Sequence, residues 1–88
     1  MERKEIAVKC WFTIAGIPMP LMFKVMADDD VVTIDKLKVI DTIREREFGN
    51  ITWKFKVQAV VNNSLKEFKM EFDTKFCKWY ILWKRKSH

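Results

Sequence analysis

Apolar and polar residues alternate one for one over most of this chain, and a period of two is the mark of half-buried strands rather than helices. The C-terminal half shows it best. Trp53, Phe55 and Val57 alternate with Lys54, Lys56 and Gln58, while Phe68, Met70 and Phe72 alternate with Lys69 and Glu71. A two-residue turn at Asn62-Asn63, both residues that tolerate the left-handed region, sets Val57 opposite Phe68, Phe55 opposite Met70 and Trp53 opposite Phe72. Core residue faces core residue, so this register is specified. The same test on the next hairpin selects a two-residue loop at Thr74-Lys75, pairing Phe72 with Cys77, Met70 with Trp79 and Phe68 with Ile81.

In the N-terminal half, Ile6, Val8, Cys10, Phe12 and Ile14 alternate with Ala7, Lys9, Trp11 and Thr13, which predicts a first strand over Glu5–Ile14. Ala15 to Pro20 reads as a loop, since Gly16 admits positive φ and Pro18 and Pro20 remove ladder donors. Leu21 to Met26 is the second strand, ended by Asp28-Asp29-Asp30, with a short strand or bridge at Val31–Ile34. Thr33 to Phe48 admits two readings. Ile34, Leu37, Ile40 and Ile43 recur every three residues, as in a helix ending before Gly49, which makes an α+β fold the alternative. The alternation of Leu37, Val39, Asp41 and Ile43, the β-branched content and the turn-like Phe48-Gly49-Asn50 favour a third strand over Lys36–Glu47. The charges of Arg44-Glu45-Arg46-Glu47 fall on both faces, so that end of the ribbon is expected to project beyond the core.

The expectation is therefore an all-β single domain, residues 1–88: a six-stranded antiparallel meander curling into a small SH3-like barrel or half-barrel. Its core is thin, and the 14% aromatic content fills it without a metal or disulfide staple. With no CxxC and no neighbouring His, Cys10 and Cys77 offer neither a zinc knuckle nor a redox motif, and both fall on expected core faces as buried thiols. No run approaches a membrane span of about 18 residues and no signal peptide is evident, so the expected location is cytoplasmic.

Few residues carry chemistry. Ser64 and Ser87 are the only serines, Gly16 and Gly49 do not make a phosphate loop, and the sole histidine is the last residue, His88. Carboxylates such as Asp41, Glu45 and Glu47 have no signature spacing, and Asp28 to Asp30 with Asp35 lacks the pattern of a calcium loop. The chain is read as a non-enzyme with no cofactor, no metal, no membrane partner and no evident small-molecule substrate.

Two binding surfaces remain. Trp11, on the mixed face of the first strand, and Trp83, at the end of the last, are candidates for a protein interface, including self-association as a homodimer. The alternative is a single-stranded nucleic-acid face on the outer side of the C-terminal strands. There Lys56, Lys69 and Tyr80 form one row beside a row of Lys54, Glu71 and Lys78, with the basic tail Trp83–His88 adding charge to a net +5. The leading expectation is a small interaction module acting through a protein–protein interface.

Val8-Lys9-Cys10-Trp11-Phe12-Thr13 and Cys77-Lys78-Trp79-Tyr80 resemble the terminal segments of short uncharacterised proteins of Gram-positive bacteria and their mobile elements. That resemblance covers about a quarter of the chain and implies a small bacterial cytoplasmic β protein, with no site attached.

Overall fold

The computed structural model describes residues 2–83, and side chains as far as Leu82. It contains seven strands and no helix: β1 (Glu2–Phe12), β2 (Pro18–Ala27), β3 (Asp30–Ile34), β4 (Lys38–Glu47), β5 (Asn50–Val61), β6 (Ser64–Asp73) and β7 (Lys78–Trp83). They form one antiparallel sheet in the order β3-β2-β1-β7-β6-β5-β4. Strands adjacent in sequence are adjacent in space except β3 and β4, which hold the two edges. The first and last strands meet in the middle, because β1 pairs through Glu2–Ile6 with β7 and through Ala7–Phe12 with β2.

The sheet curls over its apolar face without closing into a barrel. In a flat sheet β2 and β6 would stand three strand spacings apart, about 14 Å. Instead the rings of Phe23 on β2 and Phe68 on β6 meet edge to face at 5.4 Å. The Leu37 N–H donates to the Leu21 carbonyl at 3.1 Å, which holds the entry to β4 against β2. Inside the curl, Val57, Met70 and Ile81 are fully buried, and Trp79 stacks on both Phe55 and Phe72, with centroids at 5.5 and 4.8 Å.

The register of β5 with β6 is the one the alternation specifies: Trp53 opposite Phe72, Phe55 opposite Met70 and Val57 opposite Phe68. Other expectations are corrected. The sheet has seven strands rather than six, the short segment before Asp35 being a full strand, and it is not closed into an SH3-like barrel, since β3 and β4 hold opposite edges. The helical alternative for residues 33–48 gives way to β3 and β4. β1 ends at Phe12, since the Thr13 carbonyl and hydroxyl accept the Gly16 and Ile17 N–H groups in a tight loop. β2 already begins at Pro18, whose proline, like Pro20, is buried opposite β1. β3 pairs only from Phe23 onward, so beside both prolines β2 is an edge strand, where a missing donor is tolerated.

The β6–β7 loop has four residues rather than two. Phe72 pairs with Trp79 and Met70 with Ile81, a slip of two residues that keeps Trp79 and Ile81 facing inward but leaves Cys77 exposed in the loop at φ 53°. What holds the longer loop is polar. The Thr74 N–H and hydroxyl both donate to the Ile51 carbonyl, and the Asp73 carboxylate accepts from Asn50 Nδ2 at 3.3 Å and from the Lys75 N–H at 2.9 Å.

Candidate functional site

The slip of two residues rearranges the outer face of β5, β6 and β7. Lys56 and Lys69 stand side by side as expected, but the neighbour on β7 is Leu82, not Tyr80. Tyr80 lies beside Glu71 and Glu5, and Lys78 beside Asp73. The Arg3 guanidinium covers the Tyr80 ring at 3.6 Å from its centroid, so this face of the ring is not free to stack a base. The cations are largely matched. Lys78 Nζ lies 2.9 Å from a Glu5 carboxylate oxygen and Lys54 Nζ 2.9 Å from Glu45, while Lys56 lies 3.9 Å from Glu67 and Arg3 3.8 Å from Glu71. Hydrogen bonding to Glu45 raises the Lys54 pKa above its ordinary value, and hydrogen bonding to Glu5 does the same for Lys78. The four residues named for nucleic acid therefore do not assemble into one basic and aromatic row. The basic tail beyond Trp83, and His88 with it, lies outside the described residues.

Of the two interface candidates, Trp11 is 54% exposed, on the outward side of β1 opposite Met19. The backbone of Trp83 pairs with Glu2, and its side chain lies outside the described residues. Cys10 is half-buried, and burial pushes its thiol pKa up; Cys77 is exposed, with its Sγ within 3.8 Å of the Thr74 carbonyl. Neither has a histidine beside it among the described residues. Asp28 and Asp29 occupy the positive-φ positions of the β2–β3 turn, and among the described residues no three His, Cys, Asp or Glu side chains converge on a point. No helix there is long and apolar enough to cross a membrane.

The feature that sequence reasoning missed is the end of the sheet beyond Phe12. There the β1–β2 loop (13–17), the β4–β5 turn (48–49) and the β6–β7 loop (74–77) come together. The hydrogen bonds from Thr74 to Ile51 and from Asn50 to Asp73 tie the second loop to the third. A shallow depression lined by Ala15, Gly16, Arg44, Ile51, Trp53 and Thr74 brings the first alongside them. Each loop lifts one large apolar side chain into solvent. Ile14 and Phe48 are as bare as in an isolated extended peptide, at 109% and 104%, and Phe76 is 62% exposed. Phe12 and Trp11 lie just below this rim, Phe12 with its ring edge-on to Phe72 at 6.3 Å.

The signal for Phe48 was in the sequence. A Phe-Gly pair between two strands reads as a two-residue hairpin turn, here with φ of 50° and 77°, and such a turn carries its first residue out of the ladder into solvent. Ile14 gave no such signal, because the alternation assigns it to the core side of a strand that in fact stops two residues earlier.

Asp73 is the clasp of this end. Partial burial pushes its carboxyl pKa up, but hydrogen bonds from Asn50 and from the Lys75 and Phe76 N–H groups, with the Arg3 charge, outweigh that and hold it below the ordinary carboxylate value. A depressed folded-state pKa gives stability that is present above the unfolded value of about 3.9 and is lost as the pH falls through the folded one. Asp73→Ala is accordingly expected to lower stability by about 1 kcal/mol at neutral pH. In urea melts the gap between the variant and the parent should close near pH 2. An equal gap at both pH values would show that the carboxylate charge is not what the loop uses.

Compared with family models, curated proteins and solved structures, the chain gives no match. Function has to be argued from the surface alone.

Proposed function

We propose that this chain is a non-enzymatic interaction module whose contact surface is the loop end carrying Ile14, Phe48 and Phe76. One contrast within the molecule supports this reading. The three two-residue hairpin turns all place both central residues at positive φ. At the opposite end the turns are Asp28-Asp29 and Asn62-Asn63, polar residues that tolerate the left-handed region and suit solvent. At the loop end the same geometry is given to Phe48, an aromatic with no favourable local hydrogen bond to offset a backbone cost of about 1 kcal/mol. A bare ring in a strained position contributes nothing to the core. A contact with another surface is what gives it a role.

Trp11, half-exposed beside this rim, belongs to the same reading, which keeps the expectation of an aromatic interface and changes its centre. The basic face of Lys56 and Lys69 is the weaker candidate, because matched ion pairs dilute its potential.

Two measurements test the proposal together. Phe48→Asn should leave the fold intact and raise stability by about 0.5 to 1 kcal/mol, since asparagine accepts the left-handed turn. The triple variant Ile14→Ser, Phe48→Asn, Phe76→Ser should elute much earlier than the parent from a phenyl resin at high ammonium sulfate, with a melting temperature no lower. Unchanged retention would mean that the adhesive apolar surface lies elsewhere.

A further inference from the structure

We propose that the loop end docks on an anionic lipid bilayer, with Ile14, Phe48 and Phe76 entering the interface and Arg44, Arg46 and Lys75 meeting the head groups. This rests on the preceding reading of that end as the contact surface and adds its occupant. An apolar span is not needed for such contact, because side chains that reach about 5 to 10 Å into the head-group and acyl boundary suffice.

Shape favours a bilayer over a protein. The three apolar tips stand on three separate loops, and Ile14 and Phe48 are fully bare, so they make separate projections rather than one surface with pockets. A fluid bilayer accepts each projection independently.

Charge points the same way. Arg44 and Arg46 lie on β4 next to the turn, and Lys75 holds its ammonium 5.4 Å from the Phe76 ring centroid, an apolar tip with a cation beside it. None of these three cations has an ion pair among the described residues. The acidic groups at this end are Glu45, Glu47 and Asp73, of which Glu45 is matched by Lys54 and Asp73 is engaged by the loop N–H groups. Among the described residues Glu47 is the one acidic group left unengaged here, so the end keeps an excess of unpaired cations, which anionic head groups complement.

The test is sedimentation of the full chain with vesicles of phosphatidylcholine alone and with about 30% phosphatidylserine. The parent is expected to partition onto the anionic vesicles at least about tenfold better than the triple variant, and more weakly onto neutral ones. Arg46→Glu with Lys75→Glu should keep phenyl-resin retention and lose about tenfold of the binding to anionic vesicles. Vesicle binding that the triple variant retains in full would overturn the proposal, since the lysine-bearing sheet faces would then be responsible. Phenyl-resin retention that depends on the tips, without vesicle binding, would overturn the bilayer as occupant while leaving the contact surface standing. A dimer by light scattering that the triple variant abolishes would do the same in favour of a second copy.

Discussion

Trp79→Ala is expected to destabilise the fold by about 3 to 5 kcal/mol, a large share of what a domain of this size has available. The indole is buried and stacks on both Phe55 and Phe72, so truncation leaves a void bounded by two rings. Neither ring can follow the missing indole inward without breaking its own alignment, because β5, β6 and β7 are locked side by side by their ladders. The cavity therefore stays open and its full cost is felt. Urea unfolding followed by far-UV circular dichroism checks this. A loss below about 1 kcal/mol would mean that the stack is not the centre of the core.

Phe23→Ala comes next, at about 3 to 4 kcal/mol, and for a different reason. Phe23 is fully buried, but no neighbouring strand in the plane of the sheet brings it to Phe68; the curl does. A double-mutant cycle with Phe68→Ala isolates that contact, and an edge-to-face pair at this distance should give a coupling of about 1 kcal/mol. Independent effects of the two substitutions would describe a flatter sheet, in which the two rings are covered separately.

The strands were legible wherever both faces of a segment differ. Asn62-Asn63 fixed the β5–β6 register because any odd slip would have placed lysines in the core. The β6–β7 loop was not legible, since a slip of two residues preserves the face of every side chain and the alternation is blind to it. The choice there is made by Asp73, Thr74, Asn50 and Ile51, residues far apart in sequence. For the same reason the rows of the outer face came out displaced, and Tyr80 was placed beside Lys69 when it lies beside Glu71. Prolines misled in the opposite direction. Pro18 and Pro20 read as breakers, yet at a locally unpaired edge they serve as buried strand residues. The apolar rim escaped notice because its members come from three segments that no local pattern joins, and only Phe48 carried a local sign of where it points.

The pairing of Glu2 with Trp83 places the two ends of the described chain in register as neighbours. During synthesis this orders events. The second half of β1 finds β2 within a few residues, and the β4 to β7 meander grows hairpin by hairpin. The Glu2–Ile6 half of β1, however, has no partner until the last strand leaves the ribosome. It pairs segments about 80 residues apart in sequence, the most non-local contact of the fold, so this seam is expected to form after the hairpins it joins.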